Sequence, residues 1–301
     1  MPSHRQTLSY LMRRFQEAGL QPDSRHGQNF LIDLNLLDIL TGAADLGPED
    51  VVLEIGTGLG SLTARLAEAA AEVVTVEISP QVFQLASEEL AGYSNVTILQ
   101  QDALQDKNHM DEGMLAVIRE KLAANSKYRF KLCANLPYNV ATPILSNLLM
   151  VDPLPVSLTA TIQLELAERM IATPGTKDYS ALSIWMQALA DIEIVRTMAP
   201  TVFWPRPKVH SAIVHIVPNA EKRQRLADPE FFHHFIRQVF TLRRKFLRGV
   251  LVALFKHQLE KPAIDAVLAK LGFSSDVRAE QLPVETLITL ADEMQRVLPP
   301  R

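Results

Sequence analysis

The heptapeptide Glu54-Ile55-Gly56-Thr57-Gly58-Leu59-Gly60 joins a β-rich apolar run, Val51–Ile55, to a helical pattern over Leu62–Ala71. A strand that turns through glycines straight into a helix brings bare backbone close to a ligand, because glycine lacks Cβ and tolerates positive φ. Further β-rich apolar runs follow at Glu72–Glu77, Val96–Leu99 and Phe130–Ala134. Helical patterns separate them, Pro80–Leu90 with its proline at a first turn, and Met114–Leu122 inside the polar connection 105–127. This alternation predicts βαβ units and a parallel sheet. One more β-rich stretch, Val209–Val217, follows the Pro-dense segment Phe203–Lys208. From Asp228 onward, Phe232, Ile236, Val239, Phe240, Phe246, Leu247, Val250 and Leu251 recur at helical spacing and no strand run returns. The expected architecture is α/β over residues 1–217, with a smaller all-helical domain over 218–301; 301 residues suffice for two cores.

The net charge of −4 hides an asymmetry: residues 218–301 hold 14 basic against 10 acidic side chains, +4, leaving −8 for residues 1–217. The basic excess in the smaller part points to an anionic partner there. Met1–Arg14 has no apolar core of a signal peptide, and no apolar stretch is long enough to span a bilayer, so a cytoplasmic chain without a membrane partner is expected. The single cysteine, Cys133, excludes an internal disulfide and reads as a buried strand thiol. The histidines show no ligand spacing, so no metal is expected, and nothing demands more than a monomer.

Taken alone, the glycine loop fits a tight β-to-α turn or a dinucleotide site as well as any other nucleotide. Glu77 narrows the choice. It closes the second strand run, 17 residues past Gly60, where a carboxylate accepts from both hydroxyls of a ribose. Asp102 follows the third run and can accept from an adenine exocyclic amine; the alternative is a cap or turn aspartate. Together these residues resemble the S-adenosylmethionine-dependent methyltransferases, a Rossmann-like class. The resemblance sharpens at Asn135-Leu136-Pro137-Tyr138, which closes the fourth run. The Asn135 side-chain oxygen and the Leu136 carbonyl can each accept one hydrogen of an adenine N6 amine, releasing its lone pair toward the sulfonium methyl. Pro137 biases Leu136 toward extended backbone, and Tyr138 offers a ring for stacking.

The match is closer still to the KsgA/RsmA ribosomal RNA adenine dimethyltransferases. Gly27-Gln28-Asn29-Phe30-Leu31-Ile32-Asp33 resembles that family's N-terminal cofactor motif; without the resemblance it reads as a turn into a helix capped by Asp33. Phe203-Trp204-Pro205-Arg206-Pro207-Lys208-Val209 is similar to the family's Phe-x-Pro-x-Pro-Lys-Val segment, and Phe240–Leu247 to the basic helix of its C-terminal domain. The resemblance implies S-adenosylmethionine as cofactor, held by Asn29, Leu31, Gly56, Glu77, Asp102 and Asn135. It implies target-base contacts from Asn135, Leu136, Tyr138 and Phe203, and RNA contacts from Arg243, Arg244, Lys245 and Arg248. For Phe203 the alternative is a buried core ring, and for the basic run a solvated face. The implied reaction is N6,N6-dimethylation of two adjacent adenosines in a loop near the 3′ end of 16S ribosomal RNA, in the small subunit or its precursor. Two rivals stay open: an Erm-type 23S methyltransferase, whose tetrapeptide usually carries Ile at the position of Leu136, and a non-catalytic assembly or transcription factor. Thr57 stands where the family often has proline, Ser79 where aspartate is usual, and Leu164 where lysine is common.

Overall fold

A computed structural model describes residues 7–22 and 27–299; residues 1–6 of the leading segment lie outside them. The chain divides into two compact units, Met1–Ala167 with Glu193–Pro218, and Glu168–Ile192 with Asn219–Arg301. Residues 168–192 were expected in the N-terminal domain and group instead with the C-terminal helices. The reason is local packing: the buried Trp185 ring stacks on His233 at 4.3 Å between centroids, and the fully buried Tyr179 meets Phe240 edge-on at 5.9 Å.

The main sheet has seven strands: β1 (Asp50–Ile55), β2 (Glu72–Glu77), β3 (Val96–Gln100), β4 (Arg129–Asn135), β5 (Ser157–Gln163), β6 (Ala190–Met198) and β7 (Ser211–Pro218). Their spatial order is β3-β2-β1-β4-β5-β7-β6. The pairs from β3 through β5 are parallel, and β7 runs antiparallel to β5. All residues of β1 are buried, as an inner strand flanked by parallel neighbours requires. A two-residue antiparallel ribbon pairs Phe30 with Trp204 and Leu31 with Phe203.

Helices α1 (Leu8–Glu17), α2 (Leu34–Ala44), α3 (Ser61–Ala69), α4 (Pro80–Leu90), α5 (Glu112–Ala123) and α6 (Ala141–Leu148) belong to the first unit. Their starts follow from sequence: Asp33 accepts from Asn35 and Leu36 backbone N–H, Ser79 caps α4 with Pro80 at its first turn, and Asp111 caps α5. A core cluster under α2 and α3 gathers Leu31, Leu36, Leu40, Leu66, Cys133 and Phe203. A second cluster seats Leu11 and Phe15 of α1 on Leu59, Val82 and Leu85.

Helix α7 (Leu164–Met170) crosses the boundary between units; α8 (Ala181–Leu189), α9 (Ala220–Gln224), α10 (Pro229–Phe240), α11 (Leu247–Leu254), α12 (Lys261–Lys270) and α13 (Val284–Val297) make up the second. The basic segment expected as a helix is not one. Residues 241–245 form turns and a bend between α10 and α11, and Phe246, one of the apolar residues at helical spacing, is 51% exposed with the Arg278 guanidinium 5.6 Å over its ring. The physical cause is the bridge between Phe246 and Arg278, which holds 246 in extended backbone and starts α11 anew at Leu247. No helix of the described residues is long and apolar enough to cross a membrane.

Candidate active site

Chain order reverses between β1 and β4, and in open α/β sheets the crevice beyond the strand ends at such a reversal binds ligands. Each expected cofactor residue reaches that crevice from a different element. Gly56 follows β1, Glu77 ends β2, Asp102 lies just past β3, and Asn135 ends β4. Asn29 and Leu31 enter from the segment before α2, and all six line one cleft.

The loop after β1 needs its glycines. Gly56, Gly58 and Gly60 have φ of 89°, 56° and 82°. A Cβ on Gly60 would lie 2.8 Å from Leu90 Cγ, and one on Gly58 3.0 Å from the Phe30 ring. Side chains at these points would force α4 or the Phe30 segment away. The Glu77 carboxylate accepts the backbone N–H of Gly58 at 3.2 Å and of Ser79 at 3.0 Å, so loop and acid position each other. Asp102 is exposed and accepts the Leu104 N–H at 2.9 Å, the turn geometry that the alternative reading named, while it still faces the cleft.

Asn135 is oriented in the cleft by a short chain of hydrogen bonds. Its Nδ2 donates to the Asn29 carbonyl at 2.9 Å, and Asn29 Nδ2 in turn donates to the Gly27 carbonyl at 3.0 Å. With the amide held in that sense, Oδ1 is buried and has no hydrogen-bond partner among the described residues. A buried carbonyl oxygen without a donor is costly unless a ligand supplies one. Beside it, the Leu136 N–H donates to the Thr161 carbonyl at 3.2 Å, while its own carbonyl accepts nothing among the described residues.

The other two expected base contacts stand apart from the lining. Tyr138 is half-buried, and its hydroxyl shares a 2.5 Å hydrogen bond with Ser211 Oγ; burial raises its pKa, which the Ser211 contact partly offsets. Phe203 is 2% exposed and packs in the core with Leu31, Cys133 and Ile213, so the buried-ring alternative describes it. Pairing with Leu31 fixes this: side chains alternate along the ribbon, Phe203 turns inward, and Trp204 turns to Phe15 and Phe30.

A buried acid escaped the sequence reading. Glu54 lines the cleft and is 1% exposed. Its Oε2 accepts from Thr63 Oγ1 at 2.6 Å and Thr75 Oγ1 at 2.7 Å, and Thr75 meets Thr57 at 2.7 Å. Burial pushes its carboxyl up to about 8, against the lowering effect of the two hydroxyl donors. An acid inside the apolar run Val51–Ile55 was the available signal.

A cleft of this make, at the reversal of a sheet in this order, belongs to the S-adenosylmethionine-dependent methyltransferases. The family described as ribosomal RNA adenine dimethylase matches residues 20–296, and the chain belongs to that family. Among similar proteins, "Ribosomal RNA small subunit methyltransferase A" of Lactiplantibacillus plantarum is 39% identical over 279 residues, 92% of each chain. The protein of the same name from Moorella thermoacetica is 36% identical over 93% of this chain and 95% of its own. A crystal structure of a dimethyladenosine transferase from Plasmodium falciparum shares the fold with a TM-score of 0.72 and 24% identity, covering 88% of this chain and 97% of its own. The 23S rRNA methyltransferase ErmE follows at a TM-score of 0.61, 24% identity, 88% and 99% coverage.

Proposed function

We propose that this chain dimethylates N6 of two adjacent adenosines in a loop near the 3′ end of 16S ribosomal RNA, on the small subunit or its precursor. The observation that carries the reading is the buried Oδ1 of Asn135, unpartnered among the described residues and oriented by the single bond from Nδ2 to the Asn29 carbonyl. The cleft fits the cofactor as well, since Gly56 and Gly58 line it at positive φ, where a Cβ would be strained, and leave bare backbone facing it beside the Glu77 carboxylate. Glu77 holds the ribose hydroxyls, Asp102 the adenine amine, and Asn29, Leu31 and Gly56 complete the cofactor's bed. S-adenosylmethionine supplies an electrophilic methyl whose sulfur leaves without needing a proton donor.

Asn135 Oδ1 and the Leu136 carbonyl accept the two N6 hydrogens, which turns the nitrogen lone pair out of conjugation and toward the methyl. The Tyr138 ring, its hydroxyl tethered to Ser211, stacks on the base. Alignment is the main contribution, and the methylated nitrogen, now cationic, is acidic enough to lose its proton to water, so no general base is required. Phe203 acts from the core by fixing Leu31. The target base must leave its stack to reach Asn135, and a loop makes that cheapest. The exposed Arg244 and Lys245 take RNA phosphates. A cytoplasmic location and a single working chain complete the reading.

The test is transfer from labelled S-adenosylmethionine to unmethylated small subunits, large subunits and naked RNA, with mass analysis of the digested nucleosides. Dimethyladenosine confined to small-subunit RNA is expected. Modification of large-subunit RNA would move the chain to the Erm reaction, and RNA binding without transfer would favour an assembly role.

A further inference from the structure

The four cations expected to contact RNA are not equivalent. The Arg248 guanidinium is bidentate on Asp265, at 2.6 and 2.9 Å. Arg243 is more deeply engaged. Its Nη1 donates to the Tyr179 carbonyl, its Nη2 to the Lys177 carbonyl at 2.6 Å, and its Nε lies 3.6 Å from the Glu280 carboxylate. Two main-chain acceptors and a carboxylate occupy the planar fork that would otherwise grip a phosphate. Arg244 and Lys245, by contrast, are exposed and form no side-chain hydrogen bond or ion pair among the described residues.

Arg243 holds the loop between α7 and α8. That loop is anchored at three more points: the Gly175 N–H donates to the Glu280 carbonyl at 2.7 Å, the Tyr179 hydroxyl to the Leu282 carbonyl at 2.9 Å, and the Tyr179 ring packs on Phe240. Lys177 sits on this loop, exposed and without an ion pair among the described residues, and its backbone is tied directly to the residue preceding Arg244.

We infer that Arg243 is a positioning residue rather than an RNA ligand, and that it carries Lys177 into the same cationic face as Arg244 and Lys245, which together bind the phosphates of the substrate RNA. The inference rests on the proposed RNA substrate for its partner, but not for the strut itself. A fork on two carbonyls is short-range and directional, whereas a phosphate contact shows itself as counterion release. The two are separable by salt.

The experiment measures binding of the full-length chain to an unmethylated small-subunit RNA fragment containing the target loop, across a series of salt concentrations. Lys177→Ala, Arg244→Ala and Lys245→Ala are each expected to reduce the slope of log K against log salt by about 0.7 to 0.9, the share of one phosphate. In a Lys177→Ala background, Arg243→Ala is expected to leave the slope unchanged, and a further fall of that size would make Arg243 a phosphate ligand and overturn the inference. An unchanged slope for Lys177→Ala alone would remove Lys177 from the face and overturn it equally. Arg243→Lys keeps the charge but not the fork. It is expected to speed tryptic cleavage after Lys177 by about tenfold, roughly the factor one charge-assisted hydrogen bond carries, and cleavage at the wild-type rate would refute the strut. Wild-type binding that ignored salt would refute the RNA-binding reading of this unit and the role of Lys177 with it, while proteolysis would still decide the role of Arg243.

Discussion

Replacing Glu54 with glutamine should make the first unit's stability less dependent on pH, and the size of the effect follows from where the carboxyl sits. The folded protein holds Glu54 at about 8, chiefly through burial, against an ordinary value of 4.5. A group whose folded pKa is raised contributes fully below its unfolded value, and that contribution is lost as pH rises through the folded one. Between pH 4.5 and 8 the unfolded chain releases a proton that the folded chain retains, so wild-type stability falls by about 1.4 kcal/mol per pH unit from this group. Across the window the loss reaches about 5 kcal/mol at most. Glu54→Gln keeps an acceptor for Thr63 and Thr75 and does not titrate. Its extra N–H costs about 1–3 kcal/mol if left unpaired, but equally at every pH. The assay is urea unfolding from pH 5 to 8.5, followed through Trp204 in a Trp185→Phe background so that the signal reports the first unit. The variant should gain on the wild type steadily as pH rises. Curves that stay parallel would mean Glu54 is ionised in the folded state, and would refute the argument from burial.

Asn135→Ala should lower kcat by about a hundredfold or more while changing stability by no more than about 1 kcal/mol, since loss of the hydrogen bond to Asn29 is offset by removal of the buried, unpartnered Oδ1; single-turnover methyl transfer and thermal unfolding check the two halves. Glu77→Gln should weaken S-adenosylmethionine binding about tenfold to a hundredfold, measured by calorimetry, with the affinity for RNA unchanged. Gly60→Ala should destabilise the first unit by about 1–3 kcal/mol, because a φ of 82° and a Cβ 2.8 Å from Leu90 leave it no relaxed position; chemical unfolding measures it.

The parallel sheet and the cleft were legible because both rest on local signals. The runs 51–55, 72–77, 96–99 and 130–134 became β1 to β4 within a residue or so at either end, and Pro80–Leu90 became α4 with the bounds expected. Glycines between a strand and a helix, and acids at successive strand ends, announce a ligand before any contact is known. What failed was whatever depends on pairing between distant segments. Phe203 is aromatic beside prolines in sequence, but its ribbon partner Leu31 turns it into the core. Arg243 and Arg244 are neighbours that no pattern distinguishes, and only the loop 174–179 folding back consumes one and leaves the other. Residues 168–192 read as part of the α/β domain because nothing local says that Trp185 will meet His233. Glu54 was visible as an acid among valines, but its threonine partners come from α3 and β2.

On the proposed roles, the two methyl transfers cannot be energetically alike. An unmodified N6 offers two hydrogens, one for Asn135 Oδ1 and one for the Leu136 carbonyl. After the first transfer only one hydrogen remains, and the lone pair must again point at the incoming methyl, so the methyl already attached occupies one acceptor's place. A buried acceptor left unpaired costs about 1–3 kcal/mol. The Leu136 carbonyl is fixed by the extended backbone before Pro137, whereas the Asn135 side chain is held by its one bond to Asn29 and can give way. The penalty therefore falls on Asn135, and the second transfer should run about tenfold slower than the first in single-turnover experiments on premade monomethylated RNA. Weakening the Asn29 restraint lets Oδ1 withdraw more easily, so a change that loosens residues 27–29, such as Gly27→Ala, whose Cβ would meet Asn139 Oδ1 at 2.8 Å, should slow the first transfer more than the second. Equal rate constants for both transfers in the wild type would mean the attached methyl displaces neither acceptor, and would refute this account of how the amine is held.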